Sequence, residues 1–122
     1  MNKNKIELLT SIISSIDAPI IIEDKYKCLL QNSVIIDASS GSENFCGHPI
    51  WLQELEKKNS PILIIRNIDY IHKEEQNKLI EILKYKKVGT NKLKKNLLIA
   101  LTVDKMNFEN INEEIISLTV QV

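Results

Sequence analysis

The chain has 122 residues, enough to bury one hydrophobic core and too few for a second. Hydrophobic residues make up 43% and charged residues 26%, a balance that excludes disordered and collagen-like classes and predicts a folded globular domain. Sixteen basic and sixteen acidic residues cancel, so there is no bulk positive field to hold nucleic acid by counterion release, and a protein partner is favoured over a nucleic acid.

Residues 4–16 place Ile6, Leu9, Ile12, Ile13 and Ile16 at helical spacing with polar residues between them, which predicts an amphipathic helix ending before Pro19. The runs PIIIE (19–23) and SVIID (33–37) are continuous and β-branched, the pattern of strands buried on both faces. Only DKYKCLLQN separates them. Parallel neighbours normally need a dozen or more residues of crossover, so this connection reads as abbreviated. Residues 38–49 are loop-like, and Pro49 suits the first turn of a helix reaching about Lys58, with Trp51, Leu52 and Leu55 inward.

PILIIRNID (61–69) opens with the most apolar strand of the chain, expected at the centre of the sheet. A helix over 73–85 follows, with an acidic first turn at Glu74 and Glu75 and an apolar repeat at Leu79, Ile80 and Leu83. The basic stretch KYKKVGTNKLKK leads into a buried strand over 96–103, a helical turn near 112–115, and a closing strand ISLTVQV (116–122). Strands alternating with helices predict a three-layer α/β domain, a mainly parallel sheet of about five strands with helices on both faces.

From about Ser33 onward the order of elements resembles the core of the AAA+ ATPases, the family of clamp loaders, replication initiators and MoxR-like chaperones, over roughly three quarters of the chain. LIIRNID stands in the frame of the family's Walker B strand, which ends in an Asp-Glu pair. Arg66 and Asn67 occupy the positions of that pair, and Asp69 matches a second acidic position. YIHKEEQNKLIEIL resembles the helix that follows. KVGTNKLKKNLLIALTV resembles the stretch leading to the sensor strand, where Thr102 or Val103 falls at the small polar position. INEEIISLTVQV resembles the approach to the last strand, without the Arg that often reaches a neighbour's nucleotide. The resemblance implies a P-loop-NTPase-like single domain over 1–122 without a C-terminal helical lid, either whole or part of a longer AAA+ protein.

The chemistry of hydrolysis is missing from this frame. A phosphate cradle needs glycines followed by Lys and Ser or Thr, but Gly41, Gly47 and Gly89 are the only glycines and none has that context. Metal and attacking water need carboxylates at the end of the central strand, where Arg66 would repel a cation and Asn67 is no base. No catalytic, cofactor-binding or metal residue is therefore expected. The function expected is a non-catalytic pseudo-ATPase-like interaction module, a scaffold or regulator in a larger assembly. By the resemblance, its setting is DNA replication or mobile-element maintenance and its partner an active AAA+ ATPase or a replication factor. The alternative is a nucleotide sensor that binds without hydrolysing.

Other constellations are weaker. Cys46 and His48, with Cys28 or His72, have metal-binding residue types but no paired ligand spacing, and no third group points to a cysteine nucleophile. Glu23, Asp24 and Asp37 lie at strand ends, where acids also occur simply because the chain leaves the core. Arg66, at the end of an apolar strand, needs an acidic partner, expected among Asp69, Asp37 and Asp104. Lys84, Lys86, Lys87, Lys92, Lys94 and Lys95 fall within twelve positions, a basic contact surface or a solvated face. Two cysteines and no apolar secretory leader suggest the cytoplasm, and no apolar run approaches the roughly 18 residues of a membrane span.

Overall fold

The computed structural model describes residues 18–30, 32–40, 45, 49–105 and 108–122; the helix expected over 4–16, together with Cys46 and His48, lies outside them. The apolar runs form β1 (Ile20–Glu23), β2 (Ser33–Asp37), β3 (Ile62–Arg66), β6 (Leu98–Val103) and β7 (Val120–Gln121). These five make one sheet in the order β2-β3-β6-β1-β7, with every pairing parallel. Two short strands, β4 (Lys87–Val88) and β5 (Asn91–Lys92), form a separate antiparallel hairpin.

Successive side chains of a strand point to opposite faces, so each central strand feeds the apolar clusters on both faces of the sheet, which together make the core of the domain. Leu63 and Ile65 of β3 join Ile21, Ile99 and Leu101 on one face, while Ile62 and Ile64 join Ile20, Ile22 and Ala100 on the other. The first face is covered by α1 (Ile50–Glu56), α2 (Asn77–Tyr85) and α3 (Glu113–Leu118). Each does so with the stripe its spacing provides: Trp51, Leu52 and Leu55 from α1, Leu79, Ile82 and Leu83 from α2, and Ile115 from α3. The second face receives Tyr26, Leu29 and Leu30 from and just after a 3-10 helix, η1 (Asp24–Leu29). The domain is a three-layer α/β fold. No helix among the described residues is long and apolar enough to cross a membrane.

Five expectations are corrected. β1 and β2 are not neighbours, since β6 and β3 lie between them. Their short connection returns to the start of the sheet by stretching: six 3-10 residues rise about 12 Å, close to the roughly 13 Å of a four-residue strand, where six α-helical residues would cover only about 9 Å. The middle of the sheet is β6 and not β3, though β3 also has a neighbour on each side. β2 is an edge strand buried on one face only. Val34 and Ile36 enter the core while Ile35 is 49% exposed, because η1 packs over β1, β3 and β6 and leaves β2 uncovered.

The second helix begins at Asn77, after a turn that contains Glu74 and Glu75. Gln76, fully buried, sets that start with its side chain. Finally, α3 runs through Leu118, so the closing strand is only Val120–Gln121. Asn112 initiates α3 by accepting the Glu114 N–H at 2.9 Å, with Glu113 and Glu114 complementing the helix N-terminus.

Candidate functional site

From β1 the chain leaves towards β2, past β6 and β3. From β6 it leaves the other way, past β1 to β7. The carboxyl ends of β1 and β6 therefore flank the topological switch point, where open α/β sheets place their ligands. Arg66, Asn67 and Thr102 stand at this edge, together with Asp24, the first residue of η1.

Alternation along β3 and β6 turns Arg66 and Thr102 to the η1 face of the sheet, where Asp24 meets both. Arg66 donates to Asp24 through Nε (3.2 Å to Oδ1) and Nη2 (3.0 Å to Oδ2), the bidentate arrangement that a planar guanidinium favours. Thr102 Oγ1 donates to Asp24 Oδ1 at 2.7 Å and accepts the Asn67 N–H at 3.0 Å. Lys27, one turn along η1, donates to Asp24 Oδ2 at 3.0 Å. Asp37, the register partner of Arg66 on β2, lies 3.6 Å from Nη1. Two cations and two carboxylates thus balance, and the lone pairs of Asp24 are occupied by protein donors.

The guanidinium of Arg66 is the main influence holding the Asp24 carboxyl far below the usual carboxylate range. Burial opposes it, and the hydrogen bonds from Thr102 and Lys27 assist. Reciprocally, Asp24 raises the pKa of Arg66 against the effect of burial. A carboxylate so engaged has little capacity to ligate a cation or take a proton, and a guanidinium of raised pKa cannot act as a base.

Of the partners expected for Arg66, Asp37 pairs with it at 3.6 Å, while Asp69 and Asp104 do not, and the principal partner is Asp24, which was not among them. Asp69 and Asp104 engage each other, Asp69 Oδ2 accepting the Asp104 N–H at 3.1 Å. Asp69 lies in a second 3-10 helix, η2 (Ile68–Tyr70), and its Oδ1 is buried without a hydrogen-bond partner. Asn67, which precedes η2, has the left-handed conformation (φ 55°), one that Asn tolerates better than most residues. Arg66 and Asn67 thus enter one network and Asp69 another.

The acids at strand ends all have basic partners, Glu23 through Lys25 at 3.5 Å and the other two through Arg66. Cys28 and His72 are exposed. Among the described residues no group of three or more His, Cys, Asp or Glu is arranged to hold a metal ion. No protein-family model matches the chain, and no curated protein matches it.

The six lysines gather at the other end of the strands. The last turn of α2 supplies Lys84, and Lys86 follows it in the left-handed conformation (φ 49°) that ends the helix. The β4–β5 hairpin carries Lys87 and Lys92, with Gly89 at φ 60° in its two-residue turn. Lys84, Lys86, Lys92 and Lys95 line one open groove of about 570 Å³, with Tyr85, Leu83, Leu93 and Pro19. Lys94 turns away and donates to the carbonyls of Glu56 (3.0 Å) and Lys58 (2.8 Å) beyond α1, and Lys87 lies 3.9 Å from Glu81.

The sequence reading missed Asp24 as the partner of Arg66 and Gln76 as an organiser. Asp24 is 42 positions from Arg66, and only the sheet order brings them together. For Gln76 the available signal was a polar residue on the inward side of an apolar helix pattern.

Proposed function

We propose that this chain is a non-catalytic, pseudo-ATPase-like interaction module of the cytoplasm, a scaffold or regulator in a larger assembly whose partner is another protein. The resemblance to AAA+ ATPases names the class of partner, an active ATPase of that family or a replication factor. The observation that carries the reading is the Asp24–Arg66–Thr102 network at the carboxyl ends of β1, β3 and β6. An NTPase of this architecture needs free carboxylates and exposed backbone amides there. Here an arginine and a hydroxyl occupy the carboxylate, and the crossover that would wrap phosphates is one stretched 3-10 helix without glycine.

Support for a protein partner comes from β2. Among the described residues its outer edge has no ladder neighbour, and Ile35 is half-exposed on the face of β2 that η1 leaves uncovered, an edge and an apolar side chain of the kind that proteins normally cover.

Thermal unfolding with ATP or ADP, with and without magnesium, tests the absence of a nucleotide role, because a ligand of the folded state must raise the midpoint. No rise and no phosphate release above blank are expected. A saturable rise would instead establish a nucleotide sensor. For the scaffold role, the purified chain should co-migrate with a replication ATPase of its own cell on size-exclusion chromatography, and Ile35→Lys should abolish this.

A further inference from the structure

The carboxyl edge of the sheet carries Asp24, Asp37, Asp69 and Asp104, whereas the amino edge carries the lysine groove. The six lysines of residues 84–95 are accompanied by no acid, which leaves ten basic against sixteen acidic residues in the rest of the chain. A neutral protein therefore carries a basic patch at its amino edge, while Asp24 and Asp37 at the carboxyl edge are balanced by Arg66 and Lys27. The anion-attracting amino edge is opposite the crevice where α/β sheets usually bind phosphates.

Several features of the groove are not explained by the needs of the fold. Lys87 and Lys92 are direct cross-strand partners in the hairpin, and like charges so placed destabilise it. Among the described residues the side chains of Lys92 and Lys95 have no acidic partner, and no acid lines the groove. Tyr85 is 62% exposed, with the ammonium groups of Lys84 and Lys87 at 5.7 and 6.0 Å from its ring centroid. The ion pairs of Lys84 with Glu114 (3.8 Å) and of Lys87 with Glu81 (3.9 Å) are half-exposed, weak enough to exchange for another anion.

We infer that this groove binds single-stranded nucleic acid, with phosphates on Lys84, Lys86, Lys92 and Lys95 and a base stacked on Tyr85. Charge alone would suit any polyanion. The open aromatic ring and the apolar lining of Leu83, Leu93 and Pro19 suit a strand whose base faces are free, which a duplex hides and an acidic peptide lacks.

Fluorescence anisotropy of labelled dT20 with the full chain tests this over a series of salt concentrations. Four phosphate contacts predict a slope of about −3 in log K against log salt. Lys92→Glu combined with Lys95→Glu should weaken binding about ten-fold or more and flatten the slope. Tyr85→Ala should weaken it at least about five-fold, while Tyr85→Phe retains it. Unchanged melting temperatures establish that these exposed substitutions leave the fold intact. No binding at 50 mM salt, or full binding by the double lysine variant, overturns the inference. So does displacement of dT20 by polyglutamate as readily as by unlabelled dT20, or equal affinity for a duplex with no effect of Tyr85→Ala.

Discussion

A carboxylate that accepts from an arginine fork, a threonine hydroxyl and a lysine is worth more folded than unfolded, and its protonation measures the difference. The folded Asp24 has its pKa lowered. Its contribution to stability is therefore complete above the unfolded value of about 4 and is lost as pH falls below that, towards the lower folded value. Urea unfolding of the wild type should show stability falling below about pH 4, with a smaller fall for Asp24→Asn. At neutral pH Asp24→Asn and Arg66→Met should each cost about 1–3 kcal/mol, and a double-mutant cycle between them should give at least about 1 kcal/mol of coupling. The same cycle between Arg66 and Asp69 or Asp104 should give none. That Arg66 must be paired was legible from a charge closing an apolar strand, but its principal partner was not, because the choice among Asp24, Asp37, Asp69 and Asp104 depends on which strand ends converge.

Several elements on the helical face meet at one buried residue. Gln76 Nε2 donates to the carbonyls of Ile68 (3.0 Å), Ile71 (3.2 Å) and Asn110 (2.7 Å), and Oε1 accepts the Asn112 N–H at 2.7 Å. It thereby ties η2, the turn before α2 and the cap of α3 together in a fully buried position. Gln76→Ala removes the side-chain partner of the Ile68 and Asn110 carbonyls and of the Asn112 N–H, while the Ile71 carbonyl keeps its bond from Asn110 Nδ2, and should cost about 3 kcal/mol or more, read as a lowered urea midpoint. Asn112→Ala, which removes the cap of α3 and the exposed bond from Asn112 Nδ2 to Asn77 Oδ1 (2.9 Å), should cost about 1–2 kcal/mol. The stripe of α1 was legible because 3.6-residue periodicity is local, and that of α2 in part: Leu79 and Leu83 are buried as expected, but Ile82 completes the stripe and Ile80 is only partly buried. The true start of α2 was not legible: acidic residues at 74 and 75 suit a helix N-terminus, yet the tertiary bonds of Gln76 hold that segment as a turn.

Among the described residues the molecule has a carboxyl edge whose charges are paired, an amino edge lined with lysines, and one edge strand, β2, with Ile35 half-exposed. Ile35→Lys should change stability by no more than about 0.5 kcal/mol, since the side chain is already half in water. It should also abolish any self-association through β2, measured by sedimentation over a range of concentrations. The amino-acid sequence by itself determined the α/β class, the strand-forming runs, the inward stripe of α1 and part of that of α2, and the crowding of lysines into residues 84–95. Periodicity, β-branching and charge are local and survive in any arrangement of the elements. Only the tertiary structure decided the strand order, and with it the edge position of β2, the pairing of Asp24 with Arg66 and the meeting of Pro19 with the lysine segment in one groove. Each of these joins segments whose proximity depends on how the sheet is wound, and a parallel sheet satisfies the same apolar runs in several orders until the connections and the second apolar cluster select one.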